Sequence, residues 1–365
     1  MKIPFLEKIG GDKLLKYVKQ NDAVLGIDIG TSSLKIIQLR KEKERAVLET
    51  YGELSTGPYH SETAGKAALL QEEKVAEMLK DLMLEAGVTA SKAVVGIPMR
   101  YSFVTLIDLP QLTDAELEEA IPYEARRYIP LPMSEIELEW FRMPTTDEEL
   151  EKKGGKIPVL LTAVQREIID RYNDAVKRAK LEIVGHEIEI FSAARSSIGR
   201  FRMPIMLIDI GALSLKIAVI DKGHIRMAYN IAKGSQSITV ALSQALSIDF
   251  ERAEEMKREV GISPRPEVEG VRRVITPLID DLFSEADRLR SLYRRKHERI
   301  IEKIIFLGGG SLMPGLLDYA VERFGIEVIL ANPFNVLEHP TFMQPMMKKI
   351  SPSFGISVGL ALKGL

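Results

Sequence analysis

The sequence predicts an α/β fold of two lobes facing each other, each built around one copy of the same hairpin. Three observations carry that prediction: the chain length, an internal repeat, and a glycine run after a buried strand near the end. At 365 residues the chain exceeds the length at which a single core stops growing, so two lobes or more are expected. The repeat appears when Asp28 is set over Asp209. Leu25-Gly-Ile-Asp-Ile-Gly-Thr-Ser-Ser-Leu-Lys-Ile-Ile-Gln-Leu39 then matches Met206-Leu-Ile-Asp-Ile-Gly-Ala-Leu-Ser-Leu-Lys-Ile-Ala-Val-Ile220 at eight of fifteen positions. Each copy reads as a strand, a tight turn at Asp-x-Gly, and a second strand. A two-copy signal spanning half the chain is the mark of duplicated lobes.

The residue types at the turn point to phosphate chemistry. Gly30 and Gly211 let the backbone approach a ligand closely, and successive N–H groups around such a turn form a concave anion site. Asp28 and Asp209, at strand ends, would hold Mg²⁺ through its retained waters. Thr31, Ser32 and Ser33 add hydroxyl donors and Lys35 a cation in the first copy; the second has Ala212 and Leu213 where the first has Thr31 and Ser32. The first hairpin is therefore expected to do more of the gripping. The third element, Ile304-Ile-Phe-Leu-Gly-Gly-Gly-Ser-Leu-Met-Pro-Gly-Leu316, reads as a buried strand, a glycine run and a helix start. Gly308, Gly309 and Gly310, with Leu312 beside them, would let a planar base lie against backbone, and the helix N-terminus would offer free N–H donors. Taken alone, this segment reads equally well as a tightly packed strand-to-helix turn. Neither a Walker A sequence nor G-x-G-x-x-G occurs, which removes the P-loop and Rossmann readings.

Composition narrows the class. Apolar residues at 45% and charged residues at 28% are ordinary globular values, and a net charge of −2 argues against bulk attraction to nucleic acid. No cysteine is present, which excludes disulfides, thiolate metal sites and Cys nucleophiles; five scattered histidines show no ligand spacing. No apolar run approaches the roughly 18 residues of a membrane span. Met1 to Gln20 is charged throughout and lacks a signal-peptide core, so a cytoplasmic protein is expected. Leu14, Leu15 and Val18 give that stretch a short apolar stripe, read as a surface helix or, as the alternative, one lying on a membrane.

The order hairpin, hairpin, Gly-Gly-Gly resembles the superfamily of actin, the heat-shock chaperones and the sugar kinases. The resemblance implies an α/β, actin-like (ribonuclease H-like) two-lobed fold that binds ATP and Mg²⁺. The stretch Ala253 to Gly261 is similar to the helix that, in bacterial actins, turns a Glu and a Lys toward ribose and adenine, which implies those roles for Glu254 and Lys257. Phe354 to Lys363 resembles the small-residue helix that crosses back to the first lobe at the hinge.

The segment between the hairpins narrows the family. Ser91 to Pro98 reads as a strand; Thr113 with Glu116 makes a capping box that starts a helix, which Pro122 would kink. Strand-like Glu135 to Arg142, a polar loop from Thr145 to Lys156, a strand from Ile157 to Ala163 and a helix from Arg166 to Ala179 follow. This is a small inserted subdomain at the position seen in FtsA rather than in actin. With Glu124-Ala-Arg-Arg-Tyr-Ile-Pro-Leu-Pro132, Pro158-Val-Leu-Leu-Thr-Ala-Val164 and Glu189-Ile-Phe-Ser-Ala-Ala-Arg195, the chain resembles the PilM family of type IV pilus assembly from about Val24 onward.

That resemblance implies the division 1–21 (N-terminal segment), 22–90 (subdomain 1A, first part), 91–163 (inserted 1C), 164–203 (1A, second part), 204–233 (2A, first part), 234–302 (2B), 303–347 (2A, second part) and 348–365 (return to 1A). It implies capture of the cytoplasmic N-terminal peptide of PilN, an inner-membrane protein, in a groove between 1A and 1C, linking the chain to the membrane and the pilus motor ATPases through partners. The wall of that groove is expected to include Tyr123, Arg126, Arg127, Tyr128, Ile129 and Pro130, the alternative being that Tyr128 and Ile129 are core and Arg126 and Arg127 solvated. The resemblance also places a water-orienting carboxylate in the last stretch of the first lobe, with Glu189 the nearest candidate and Glu187 the second; slow or absent hydrolysis is expected.

Two rival readings are a filament-forming, membrane-associated protein like FtsA or MreB, with self-association, and a small-molecule kinase. The first expects an amphipathic anchor, whereas Leu360 to Leu365 reads as part of the hinge helix; the second lacks a paired acidic base and sugar-binding cluster. The basic run Arg288, Arg290, Arg294, Arg295, Lys296, Arg299 and Lys303 reads as a solvated face. Met343, Met346 and Met347 with Phe342 read as core filling.

Overall fold

The computed structural model describes residues 23–60, 66–67, 71–152, 154–199, 201, 203–265 and 269–365; the amphipathic stretch of Met1 to Gln20 lies outside them. The first half of the chain runs β1 (Ala23–Ile29), β2 (Ser33–Glu42), β3 (Arg45–Ser55), α1 (Glu72–Glu85), β4 (Lys92–Ile97) and β5 (Ser102–Leu109). It continues through α2 (Asp114–Ala125), β6 (Ile136–Arg142), α3 (Asp147–Lys152), β7 (Ile157–Gln165), α4 (Arg166–Arg178), β8 (Glu182–Ile188) and α5 (Glu189–Ser197). The second half comprises β9 (Ile205–Ile210), β10 (Leu215–Asp221), β11 (His224–Ile231), α6 (Ser235–Leu246), α7 (Phe250–Glu259) and α8 (Glu269–His297). It closes with β12 (Lys303–Leu307), α9 (Leu316–Phe324), β13 (Glu327–Leu330), α10 (Gln344–Ile350) and α11 (Gly355–Gly364).

The sequence repeat becomes a repeat of topology. One five-stranded sheet has the order β3-β2-β1-β4-β8 and the other β11-β10-β9-β12-β13. In each, the hairpin pairs antiparallel and the central strand pairs parallel with the strand on its other side. Asp28 lies opposite Lys35 across the first hairpin and Asp209 opposite Lys216 across the second. All of β1 and β9 is buried, as expected for central strands covered on both faces and written as apolar runs interrupted by Asp28 and Asp209.

Helix α11 closes the circle by packing onto the first lobe. Small residues permit it: a Cβ at Gly359 would collide with the backbone of Ser192 on α5, and one at Gly26 with the Ser357 carbonyl. The inserted subdomain is a separate antiparallel sheet, β5-β7-β6. Helix α2 covers it with Leu117, Ile121 and Ala125, four residues apart on one face. The capping box is present: the Thr113 N–H donates to Glu116 at 2.7 Å, and the Glu116 N–H to Thr113 Oγ1 at 3.3 Å. A second one, Thr146 with Glu149, nucleates α3 inside the stretch read as a polar loop.

Other expectations are corrected. The glycine run leads into a 3₁₀ turn, Gly309–Leu312, and α9 begins only after Gly315, so no α-helix N-terminus follows the run directly. Ile129 is 4 % exposed and packs in the core of the inserted subdomain, so it is no groove wall. Of the methionine group, Met347 fills core while Phe342 and Met346 are exposed. The basic run is a solvated face at Arg288, Arg294, Arg295 and Lys296, which are exposed, while Arg290, Arg299 and Lys303 pair with Asp287, Asp221 and Glu327. Among the described residues no helix is long and apolar enough to cross a membrane.

Candidate functional site

The turns of the two hairpins meet at a cavity of about 420 Å³ between the lobes. Asp28, Gly30, Thr31, Ser32, Ser33 and Lys35 line it from the first hairpin, and Asp209, Gly211 and Ala212 from the second. Glu254 and Lys257 reach it from α7, and Gly308, Gly309, Gly310 and Leu312 from the turn after β12. Residues separated by almost the whole chain are thus brought to one cleft because each sheet ends its central strand there.

The carboxylates at the bottom differ sharply in their surroundings. Asp28 is buried, and no described group donates a hydrogen bond to it. Burial pushes its carboxyl up to about 6; Lys35 and Lys216 oppose the rise, and Glu189 and Asp209 add to it. Asp209 is instead neutralised: Lys216 Nζ lies 2.9 Å from its Oδ2 and 2.9 Å from Glu189 Oε2. Burial alone would depress the Lys216 ammonium, but the two carboxylates outweigh it and hold it well above the usual lysine range. Lys35 donates to Ser33 Oγ at 2.5 Å and pairs with Glu53 at 3.2 Å. On α7, Glu254 accepts from Lys257 at 2.6 Å, Thr239 at 2.6 Å and Arg258 at 2.7 Å, so the helix presents a locked polar cluster.

Gly308 carries the backbone demand of the glycine run. Its φ is +80°, and a Cβ there would strike the Asp209 carboxylate and the Ile210 carbonyl. Gly309 has open space around it, and Gly310 lies against Ile210. The run therefore shapes the wall by letting backbone, not side chains, face the cavity.

The two catalytic candidates part company. Glu189, the first residue of α5, lines the cleft; its Oε1 accepts from the Met99 N–H at 2.7 Å and its Oε2 pairs with Lys216. Glu187 points away. Arg195 clasps it at 2.5 and 2.6 Å, Ser192 donates to it and Lys363 lies 3.4 Å off, so these contacts give no support to the water-orienting role expected of it. Sequence reasoning missed Lys216, although the repeat sets it directly over Lys35, and missed Arg100, Ser214 and Ser235, which also line the cleft.

A second cavity, of about 480 Å³, lies where the inserted subdomain meets both lobes. Trp140, Phe141 and Leu160 come from the inserted sheet, Phe191 and Arg195 from α5, and His224 from the start of β11. His186 Nε2, also there, is buried with no hydrogen-bond partner. The subdomain is tied across to the second lobe by Glu149–Lys222 at 2.6 Å and by Phe141 stacked on His224 at 6.0 Å. None of Tyr123, Arg126, Arg127, Tyr128 or Pro130 lines this cavity. Tyr123 and Tyr128 stand exposed near the end of α2, where Arg126 lies over the Tyr123 ring at 5.5 Å and Arg127 pairs with Glu124 at 3.2 Å.

Duplicated sheets, a return helix and a cleft between twin hairpins define an actin-like protein with an inserted subdomain of the FtsA type. The chain belongs to the PilM family: the model of the family described as type IV pilus assembly protein PilM matches residues 26–365. Among curated proteins it is 25% identical to the cell division protein FtsA of Pseudomonas aeruginosa, covering 95% of this chain and 90% of that one. It is 23% identical to FtsA of Streptococcus pneumoniae, covering 87% and 77%. Among solved structures it resembles a chain of a PilM–PilN type IV pilus biogenesis complex with a TM-score of 0.79 at 24% identity, covering 93% of this chain and 98% of that one. An MreB of Spiroplasma citri bound to ADP gives 0.51 at 13% identity, covering 93% and 95%. At these identities the structural likenesses establish the fold.

Proposed function

We propose that this chain is an ATP-binding adaptor of the type IV pilus machinery that captures the N-terminal peptide of a PilN-like membrane protein. One observation carries the nucleotide half: the residues that chemistry marks for phosphate, cation and base converge on a single cleft. The donor set fits MgATP. Asp28 is a buried carboxylate without a donor, which suits a hydrated cation, and no cluster of three or more His, Asp or Glu able to cage a metal exists among the described residues. A Mg²⁺ held by Asp28 through water, and by the phosphates themselves, matches that pattern. Bound Mg²⁺ would supply charge neutralisation at the phosphate oxygens. The hairpin amides would grip the phosphates, Glu254 and Lys257 would face the ribose side, and the glycine run would lie under the base.

Glu189 bears on hydrolysis. A carboxylate whose two oxygens are committed to Lys216 and to the Met99 amide is poorly free to take a proton from water, which supports slow turnover at most. ATP would then act as a clamp between lobes, with effects on the partner groove through the fold.

The second cavity is the better candidate for the peptide. It is concave, carries aromatic and aliphatic walls with Arg195 and Lys363 at its edge, and borders β6, an edge strand open to pairing. The exposed Tyr123, Arg126, Arg127 and Tyr128 form an alternative docking patch. In this reading the protein is peripheral to the inner membrane on its cytoplasmic side, reached through the partner, and meets the motor ATPases there. Calorimetric titration with the PilN-like peptide tests it. Stoichiometric binding lost in Trp140→Ala supports the groove, loss only in Tyr128→Ala moves the site to the α2 patch, and no binding to the wild type refutes the adaptor reading. The FtsA likeness keeps self-association testable by sedimentation with MgATP.

A further inference from the structure

We propose that Arg100 reads the terminal phosphate of the bound nucleotide and passes that state to the inserted subdomain; this rests on the ATP reading above. Strand β4 runs to the cleft, and the turn Met99–Tyr101 leads directly into β5, the first strand of the inserted sheet. Arg100 is therefore a lining residue of the cleft and also the joint on which the subdomain hangs.

Its side chain is left open. The Arg100 Nε is buried with no hydrogen-bond partner, and no described carboxylate pairs with the guanidinium, which lies over the Tyr101 ring at 5.1 Å. A buried donor without a partner is costly, and a native structure tolerates one chiefly where something else supplies the acceptor. Carboxylates do line the same cleft, Glu189 and Asp28 among them. Yet Glu189 is spent on Lys216 and Met99, and Asp28 faces the proposed cation. The acceptor left for a planar fork of N–H donors is a phosphate oxygen arriving with the ligand.

The turn has two handholds one residue apart. Glu189 holds the Met99 N–H at 2.7 Å with no ligand present, and Ser102 Oγ donates to the Pro98 carbonyl at 3.1 Å. Arg100, between them, is held only when an anion reaches it. ATP supplies a terminal phosphate that ADP lacks, so the joint is fixed at both points in the ATP state alone. Strand β5 lies beside β11 of the second lobe, and its sheet forms a wall of the second cavity. Ordering the joint therefore orders the groove.

The test uses the full chain, Arg100→Gln and Arg100→Lys. Calorimetry measures Mg²⁺-ATP and Mg²⁺-ADP affinity, and hydrogen exchange follows the β5 amides. Arg100→Gln should weaken ATP about ten-fold, the scale of a lost charged hydrogen bond, and leave ADP within about two-fold. Arg100→Lys, which lacks the fork, should fall between, and ATP-specific protection of β5 should vanish in Arg100→Gln. Equal losses for both nucleotides, or none, would overturn the proposal while leaving the cleft standing. A wild type that binds neither nucleotide would overturn the ATP reading and this inference together.

Discussion

Asp28→Asn should make the ligand-free protein more stable at neutral pH while removing its response to MgATP. Burial raises the Asp28 carboxyl to about 6, so at pH 7 the fold holds a charge it disfavours. The folded pKa lies above the unfolded value, so the charged form is the costly one. The cost is absent below about pH 4, where both states are protonated, and grows as pH rises through the folded value. A shift of about two units corresponds to roughly 3 kcal/mol, attraction to Lys35 and Lys216 already included. An asparagine amide that finds no partner would return about 1–2 kcal/mol of that, so a net gain of about 1–2 kcal/mol is expected. Thermal denaturation without ligand should show a rise of several degrees at pH 7.5, shrinking toward pH 4.5 as the wild type protonates. With MgATP the order should reverse, because only the wild type gains ligand stabilisation. A variant less stable than wild type at pH 7.5, or a difference that does not change with pH, would refute the reasoning.

The remaining predictions concern packing and charge. Lys216→Met should destabilise the fold by about 3–5 kcal/mol, because Asp209 and Glu189 would be left buried and uncompensated; denaturant unfolding reads it out. Gly359→Val should cost at least about 2 kcal/mol or abolish soluble expression, since its Cβ meets the Ser192 backbone and neither helix can yield without opening the hinge. Glu149→Gln should leave overall stability nearly unchanged, as an exposed pair contributes roughly 0–1 kcal/mol, yet raise hydrogen exchange in α3, where its capping bonds also lie.

Much of the fold was legible because duplication repeats information. The overlay of Asp28 on Asp209 foretold two sheets of like order, and the overlay of Lys35 on Lys216 was equally available. Glu187 and Glu189 part for a geometric reason: β8 ends at Ile188 and α5 starts at Glu189, so the side-chain direction changes within two residues at a boundary that sequence places loosely. The glycine run was legible as a wall but not as a 3₁₀ turn, since Gly308 and Gly315 both permit positive φ and the chain uses both before α9 begins. Ile129 and Tyr128 are neighbours, one buried and one exposed, in a turn where no periodicity assigns faces. The second cavity was the least legible feature. Trp140, Arg195, His224 and Lys363 meet only after three sheets have been assembled, and no local pattern links them.

The central claim is that the cleft between the hairpins binds MgATP, and titrating MgATP into the wild-type chain and into Asp28→Ala by calorimetry tests it most directly. The account predicts one site per chain in the wild type and loss of most of the affinity in Asp28→Ala, with the variant still folded. No binding by the wild type, or binding that Asp28→Ala leaves intact, would contradict it.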